Sequence, residues 1–129
     1  LRSLVGSEMC IRDREIDIGN SLDKDTHLKL PIISAPMDTV TGIGMAIAMD
    51  QAGGLGIIHR YNSIEEQVSL AAAAFSASVI GAAIGVTGDY LERAQALFNV
   101  GTDVICVDVA HGHHKLVKEA IRRIKNEHR

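Results

Sequence analysis

The sequence predicts an α/β chain built from four strand–helix units around a parallel sheet. Two observations carry this. Short Ile/Val-rich runs alternate with helix-compatible segments at intervals of about 25 residues, the grammar of βα repeats. Ala and Gly are abundant beside those runs, whereas aromatic residues make up only 3% and Trp is absent. Small residues of this kind let helices pack closely on a buried parallel sheet. Two architectures satisfy the pattern, half of an eight-fold (β/α) barrel or a small doubly wound sheet.

The first unit opens with "LPIIS" (30–34), where Pro31 stands at a strand start that needs no amide donor. "TGIGMAIAMDQAGG" (41–54) follows as a helix closing on Gly53 and Gly54. The second unit is "LGIIH" (55–59) and "SIEEQVSLAAAAF" (63–75), with Ser63 and Glu66 at capping-box spacing. In the third, "SVIGAAIGV" (78–86) leads into "DYLERAQALFNVG" (89–101), where Asp89 and Glu92 repeat the box and Gly101 ends the helix. The fourth joins "DVICVDVA" (103–110) to "KLVKEAIRRIKNEH" (115–128). Its apolar stripe is Leu116, Val117, Ala120, Ile121 and Ile124, and Glu119 is spaced to pair with Arg123.

Bulk properties narrow the function classes. A length of 129 residues allows one domain with a real core. A net charge of -3, with basic and acidic residues interspersed, gives no patch to neutralise phosphates, so no nucleic-acid partner is expected. Cys10 and Cys106 supply neither a disulfide framework nor zinc spacing, which favours a reducing, cytoplasmic setting. No apolar run approaches the roughly 18 residues of a membrane span, and no signal peptide is evident. The chain starts at Leu1 rather than Met and stops at Arg129 inside a helical pattern, so both ends read as cut. Residues 1–14 lack any apolar periodicity and are expected to be a non-native leader to a domain covering 15–129.

The segments able to carry chemistry, "APMDTV", "HRYN", "GVTG" and "AHGHH", all follow strand C-terminal ends, where either architecture places ligands. "SAPMDTVT" (34–41) is either a plain turn with Thr39 or Thr41 capping the helix, or a loop offering Met37 to a planar ligand. "AGGLG" (52–56) lies between a helix and the next strand, the reverse of a phosphate cradle, and reads as a structural turn. Asp108, at a strand end, suits ribose hydroxyls. His111, His113 and His114 lack a companion ligand group at metal spacing, and Cys106 reads as a small buried hydrophobe on the same side as Asp108.

Taken in order, "LPIISAPMDTVT", "MAIAM", "GGLGIIHR", "SIEEQ", "GAAIGV" and "DVICVDVAHGH" resemble the IMP dehydrogenase/GMP reductase family from about Arg14 onward. The resemblance implies the first four βα units of an incomplete (β/α)8 TIM barrel, homotetrameric when complete. One departure stands out: many dehydrogenases of the family carry regulatory CBS modules between the positions of Glu66 and Gly81, whereas this chain runs straight through "QVSLAAAAFSASVIG". The missing CBS insertion leans toward GMP reductase or a CBS-free dehydrogenase, while "SAPMDTVT" and "VDVAHGH" lean toward the dehydrogenase. The implied activity is IMP dehydrogenase: a thiolate attacks the purine C2, hydride passes to NAD, and water releases XMP, on the route to guanine nucleotides. The alternative within the family is GMP reductase, using NADPH and releasing ammonia. By the same resemblance Ser34 and Met37 contact the nucleotide, and Arg60, Asp108, Val109 and Ala110 contact the NAD or NADP cofactor. The catalytic cysteine loop and the potassium site are expected beyond Arg129, so no catalytic or metal residue is assigned here and the chain alone is expected to be inactive.

Two other readings stand beside this one. An FMN-dependent barrel of the nitronate monooxygenase type shares the "PI..APM" and "AGGLG" wording, though not "VDVAHGH". A non-catalytic half-barrel would expose two unpaired strand edges and self-pair. Cys10, in "GSEMC", imitates the family's Gly-Ser-x-Cys nucleophile loop, but it precedes the first strand, whereas that loop must follow the fourth. It is expected to lie outside the enzyme.

Overall fold

The computed structural model describes residues 16–127. The expected leader at 1–14, its Cys10 and the terminal Arg129 lie outside the described residues. An antiparallel pair that the sequence reading lacks comes first, β1 (Asn20–Ser21) and β2 (His27–Leu28). Its turn is held by Asp23 Oδ1, which accepts from the backbone N–H groups of Asp25 (2.8 Å) and Thr26 (2.7 Å). Those two bonds hold the Asp23 carboxyl below the ordinary carboxylate range.

The four expected units follow. Strands β3 (Ile33–Ser34), β4 (Leu55–Ile58), β5 (Gly81–Ile84) and β6 (Val104–Val107) form one parallel sheet in chain order. Helices α1 (Ile43–Gln51), α2 (Ile64–Ala73), α3 (Tyr90–Asn99) and α4 (Lys115–Glu127) follow them in turn. All four expected strands are present, and each is shorter than its apolar run.

Strand alternation divides the core in two. Ile58, Ala82 and Ile84 face the helices and pack with Ala46 of α1, Ala71 of α2, Leu97 of α3 and Ala120 of α4. Leu55, Ile57 and Ala83 face the other way, joined by Val104 and Cys106, with Leu28 of the hairpin packed against them. Helices on one face only, and strands in unbroken order, are the arrangement of a partial barrel; a doubly wound sheet would carry helices on both faces and a reversal of strand order. Each fully buried Leu or Ile, such as Leu55, Ile58 and Leu97, contributes about 2 kcal/mol by area removed from water. β3 and β6 pair on one side only, which leaves Ile33 at 48% exposure and every residue of β6 half-buried.

Several expected local devices hold and others do not. The capping box of α2 is complete: Ser63 Oγ accepts from Glu66 N–H (3.1 Å), and Glu66 Oε2 accepts from Ser63 N–H (3.0 Å). Gly53 and Gly101 end α1 and α3 with φ of +85°, while Gly54 has no positive φ. Asp89 stands at the N-cap position of α3 as expected, but it makes no side-chain capping bond, because its carboxylate turns to the Arg93 guanidinium 2.7 Å away. Neither Thr39 nor Thr41 caps α1. The N-cap is Gly42, and Thr41 Oγ1 donates to the Ala35 carbonyl at 2.6 Å instead. Among the described residues no ion pair joins Glu119 to Arg123, and both are exposed. The stripe of α4 is buried at Val117, Ala120 and Ile124, where the helix packs beside α3, yet Leu116 and Ile121 are left 40% exposed.

One polar pair lies inside this apolar frame. Gln67 is fully buried, and its Nε2 donates to the carbonyls of Ala83 (2.8 Å) and Ile58 (3.4 Å) at the C-terminal ends of two adjacent strands. Its Oε1 accepts from Arg93 Nη1 at 2.9 Å, so neither amide group is left unpaired.

The Ala and Gly content has a local cause. A Cβ added at Gly56 would sit 2.5 Å from the Ala46 Cα, so α1 rests directly on the backbone of β4. Gly56→Val is expected to force the two apart at a cost of roughly 3 kcal/mol. A denaturant midpoint lowered accordingly is the expected result; an unchanged midpoint would show that the contact is not tight.

Candidate functional site

The C-terminal edge of the sheet gathers the four segments singled out in the sequence. In the loop between β3 and α1, Thr41 is fully buried and its Oγ1 lies 2.8 Å from Ser34 Oγ. The Met37 carbonyl accepts from Val40 N–H (3.0 Å) and Thr41 N–H (2.9 Å). This tight turn leaves the Met37 side chain standing out at 50% exposure, a polarizable surface for a flat ligand. The Ser34 hydroxyl, by contrast, is engaged with Thr41.

A cleft of about 300 Å³ opens beyond β5 and β6. Arg60, Asp108, Val109 and Ala110 all line it, together with Gly85, Val86, Thr87, Asp89 and Arg93; Ser34 and Met37 do not. The structure therefore brings the four expected cofactor residues together and keeps the two expected nucleotide residues in a separate loop. Arg60 crosses from the end of β4 to the end of β6, its Nε donating to Asp108 Oδ2 at 3.2 Å and its Nη2 to the Asp108 carbonyl at 3.3 Å. Both side chains keep about a third of their surface in water, so the pair is worth more for orientation than for stability. Arg60 Cζ also lies 5.4 Å from the centre of the Tyr61 ring, which stacks on His59 at 6.5 Å.

The cleft fits part of a nucleotide. Asp108 Oδ2 is taken by Arg60, which leaves Oδ1 to accept hydrogen bonds, and a carboxylate at a strand end is the usual partner of a ribose diol. Gly85, Val109 and Ala110 give small walls that let a ligand approach the backbone.

Cys106 lies beneath the site on the inner face, packed with Ala83 and Val104. Partial burial, and then the negative charge of Asp108, push its thiol above the ordinary range, so the half-buried Cys106 suits packing and not nucleophilic attack. His111, His113 and His114 stand in the loop after β6, and among the described residues no three His, Cys, Asp or Glu side chains come together as a metal group. The "AGGLG" turn lies at the opposite edge, where the Gly53 carbonyl accepts from Leu30 N–H at 2.8 Å. Among the described residues no helix is long and apolar enough to cross a membrane.

Sequence reasoning missed Gln67 and Arg93 as parts of this site. Their signal was present: a Gln at an apolar position of α2, and an Arg four residues after an Asp. Both patterns are common on solvated helix faces, and only the packing of α2 against α3 turns them inward.

Comparison with known proteins gives the family. The model of the IMP dehydrogenase / GMP reductase domain matches residues 3–129. The inosine-5'-monophosphate dehydrogenase of Cryptosporidium parvum is 30% identical over 88% of this chain and 39% of its own length. That of Borreliella burgdorferi is 25% identical over 98% of the chain and 44% of its own. That of Bacillus subtilis is 50% identical over half of the chain and 13% of its own length. The chain thus spans about two fifths of the first two relatives. It belongs to the IMP dehydrogenase/GMP reductase domain family.

Proposed function

We propose that residues 15–129 form the first half of the catalytic barrel of an IMP dehydrogenase, preceded by a leader at 1–14, and that the Arg60–Asp108 cleft receives the riboside half of its nicotinamide cofactor. The observation that carries this is the convergence of Arg60, Asp108, Val109 and Ala110 on one cleft from two strands 48 residues apart. The names of the relatives favour the dehydrogenase over the GMP reductase, and membership of the family argues against the flavin barrel.

In this reading Asp108 Oδ1 accepts from a ribose hydroxyl while Arg60 holds the carboxylate in place. Val109 and Ala110 form the floor. Met37 packs against the purine of the nucleotide, and Ser34 acts through its hydroxyl contact with Thr41 to shape the Met37 turn. The NAD or NADP cofactor, when bound, supplies the hydride acceptor. The potassium site, the attacking thiolate and the homotetramer belong, in this proposal, to the remainder of the enzyme, so the 129 residues alone are inactive. A cytoplasmic location goes with a free, protonated Cys106 in its core.

Asp108→Ala in the full-length enzyme is expected to raise the KM for NAD by about tenfold or more, the worth of one or two charge-assisted hydrogen bonds, and to leave the KM for IMP nearly unchanged. Equal losses on both substrates would reject the assignment, and a full-length protein that does not reduce NAD with IMP would reject the function. Cys106 is expected to resist iodoacetamide at pH 7.5 in the folded protein and to react once unfolded, because its raised pKa leaves little thiolate at that pH. Rapid alkylation of native Cys106, read by mass spectrometry, would contradict that placement.

A further inference from the structure

We infer that Arg93 is a positioning residue for the cofactor cleft: with Gln67 it pins both ends of the loop that carries Arg60, and so sets where Arg60 meets Asp108. This deepens the proposed function and rests on that reading for its kinetic consequence. The loop leaves β4 at Ile58 and enters α2 at Ser63. At its start, Gln67 Nε2 donates to the Ile58 carbonyl. At its end, Arg93 Nη2 donates to the Asn62 carbonyl (3.0 Å) and Nη1 to the Ser63 carbonyl (3.4 Å).

All five N–H groups of the Arg93 guanidinium are used. Besides those two carbonyls, Nη1 reaches Gln67 Oε1, and both Nε (3.2 Å) and Nη2 (2.7 Å) reach Asp89 Oδ2. A side chain only 7% exposed, with every donor committed, is over-determined in position. Surface burial alone would not demand an arginine here: the apolar neighbours Ala94 and Leu97 of the same helix already fill the core. The planar fork is what lets one residue grip two successive carbonyls, a glutamine and a carboxylate together. Gln67 extends the grip to β5 through the Ala83 carbonyl, so the loop is referenced to the same strand whose end supplies Gly85 to the cleft.

The test uses the full-length enzyme with Arg93→Lys and Arg93→Met. Lysine keeps the charge but offers three donors to five acceptor contacts, so Arg93→Lys is expected to raise the KM for NAD about tenfold, with the KM for IMP and kcat each within about threefold of the parent. Arg93→Met is expected to do at least as much. Hydrogen–deuterium exchange read by mass spectrometry should rise in peptides spanning 59–63 and stay at the parent level in the body of α3. If Arg93→Met does not fold, Arg93→Lys decides. Parent-like exchange at 59–63 in Arg93→Lys, or equal increases in KM for both substrates, would overturn the inference. Should the parent enzyme fail to oxidise IMP, the functional reading falls while the exchange measurement still decides whether Arg93 holds the loop.

Discussion

The arrangement of the site depends on a buried hydrogen-bonded pair, Gln67 and Arg93. Buried backbone carbonyls need donors, and around the C-terminal edge of this sheet several find them in side chains. Gln67 supplies them to Ile58 and Ala83, and Arg93 supplies them to Asn62 and Ser63. An isolated buried guanidinium would be costly, and the half-exposed Asp89 carboxylate four residues earlier offsets that cost. The same bonds that satisfy the backbone thereby fix the loop bearing Arg60.

Close packing lets this pair exist. Gly56 brings α1 onto β4, and the alanines at 71, 74 and 94 bring α2 and α3 together over the sheet. Larger side chains would lift the helices and carry Gln67 away from the strand ends it serves. On the inner face, Leu28 of the hairpin packs with Leu55, Ile57 and Ala83, and Cys106 borders the same cluster below Asp108. The two faces of the sheet thus divide the labour: helix packing sets the loops, and the inner face supports the acid that the loops surround.

Much of this was legible in the amino-acid order. Short apolar runs, turn glycines at 53 and 101 and the Ser63–Glu66 box located three of the four helices' ends, because each rests on local chemistry. Asp108 and Arg60 were legible through resemblance and through their place after strand ends. The antiparallel pair at 20–28 was not, since two-residue strands show no alternation and their turn is written by one aspartate, Asp23. The N-cap position of Asp89 is legible but its bonding is not, because capping and pairing with a residue four positions on use the same side chain, and only tertiary burial of Arg93 decides between them. Gln67 was invisible for a similar reason: its partners are carbonyls 9 and 16 residues away, and no local pattern encodes them.

The central claim is that the grip of Arg93 on the loop and the contact of Asp108 with the cofactor are one coupled device. A double-mutant cycle measures this directly, using Arg93→Lys, Asp108→Asn and their combination in the full-length enzyme, with NAD affinity as the readout. Residues acting through one network are expected to be non-additive, the double variant losing less than the sum of the single losses by about 1 kcal/mol. Losses that add to within about 0.3 kcal/mol would show two independent residues and contradict the account.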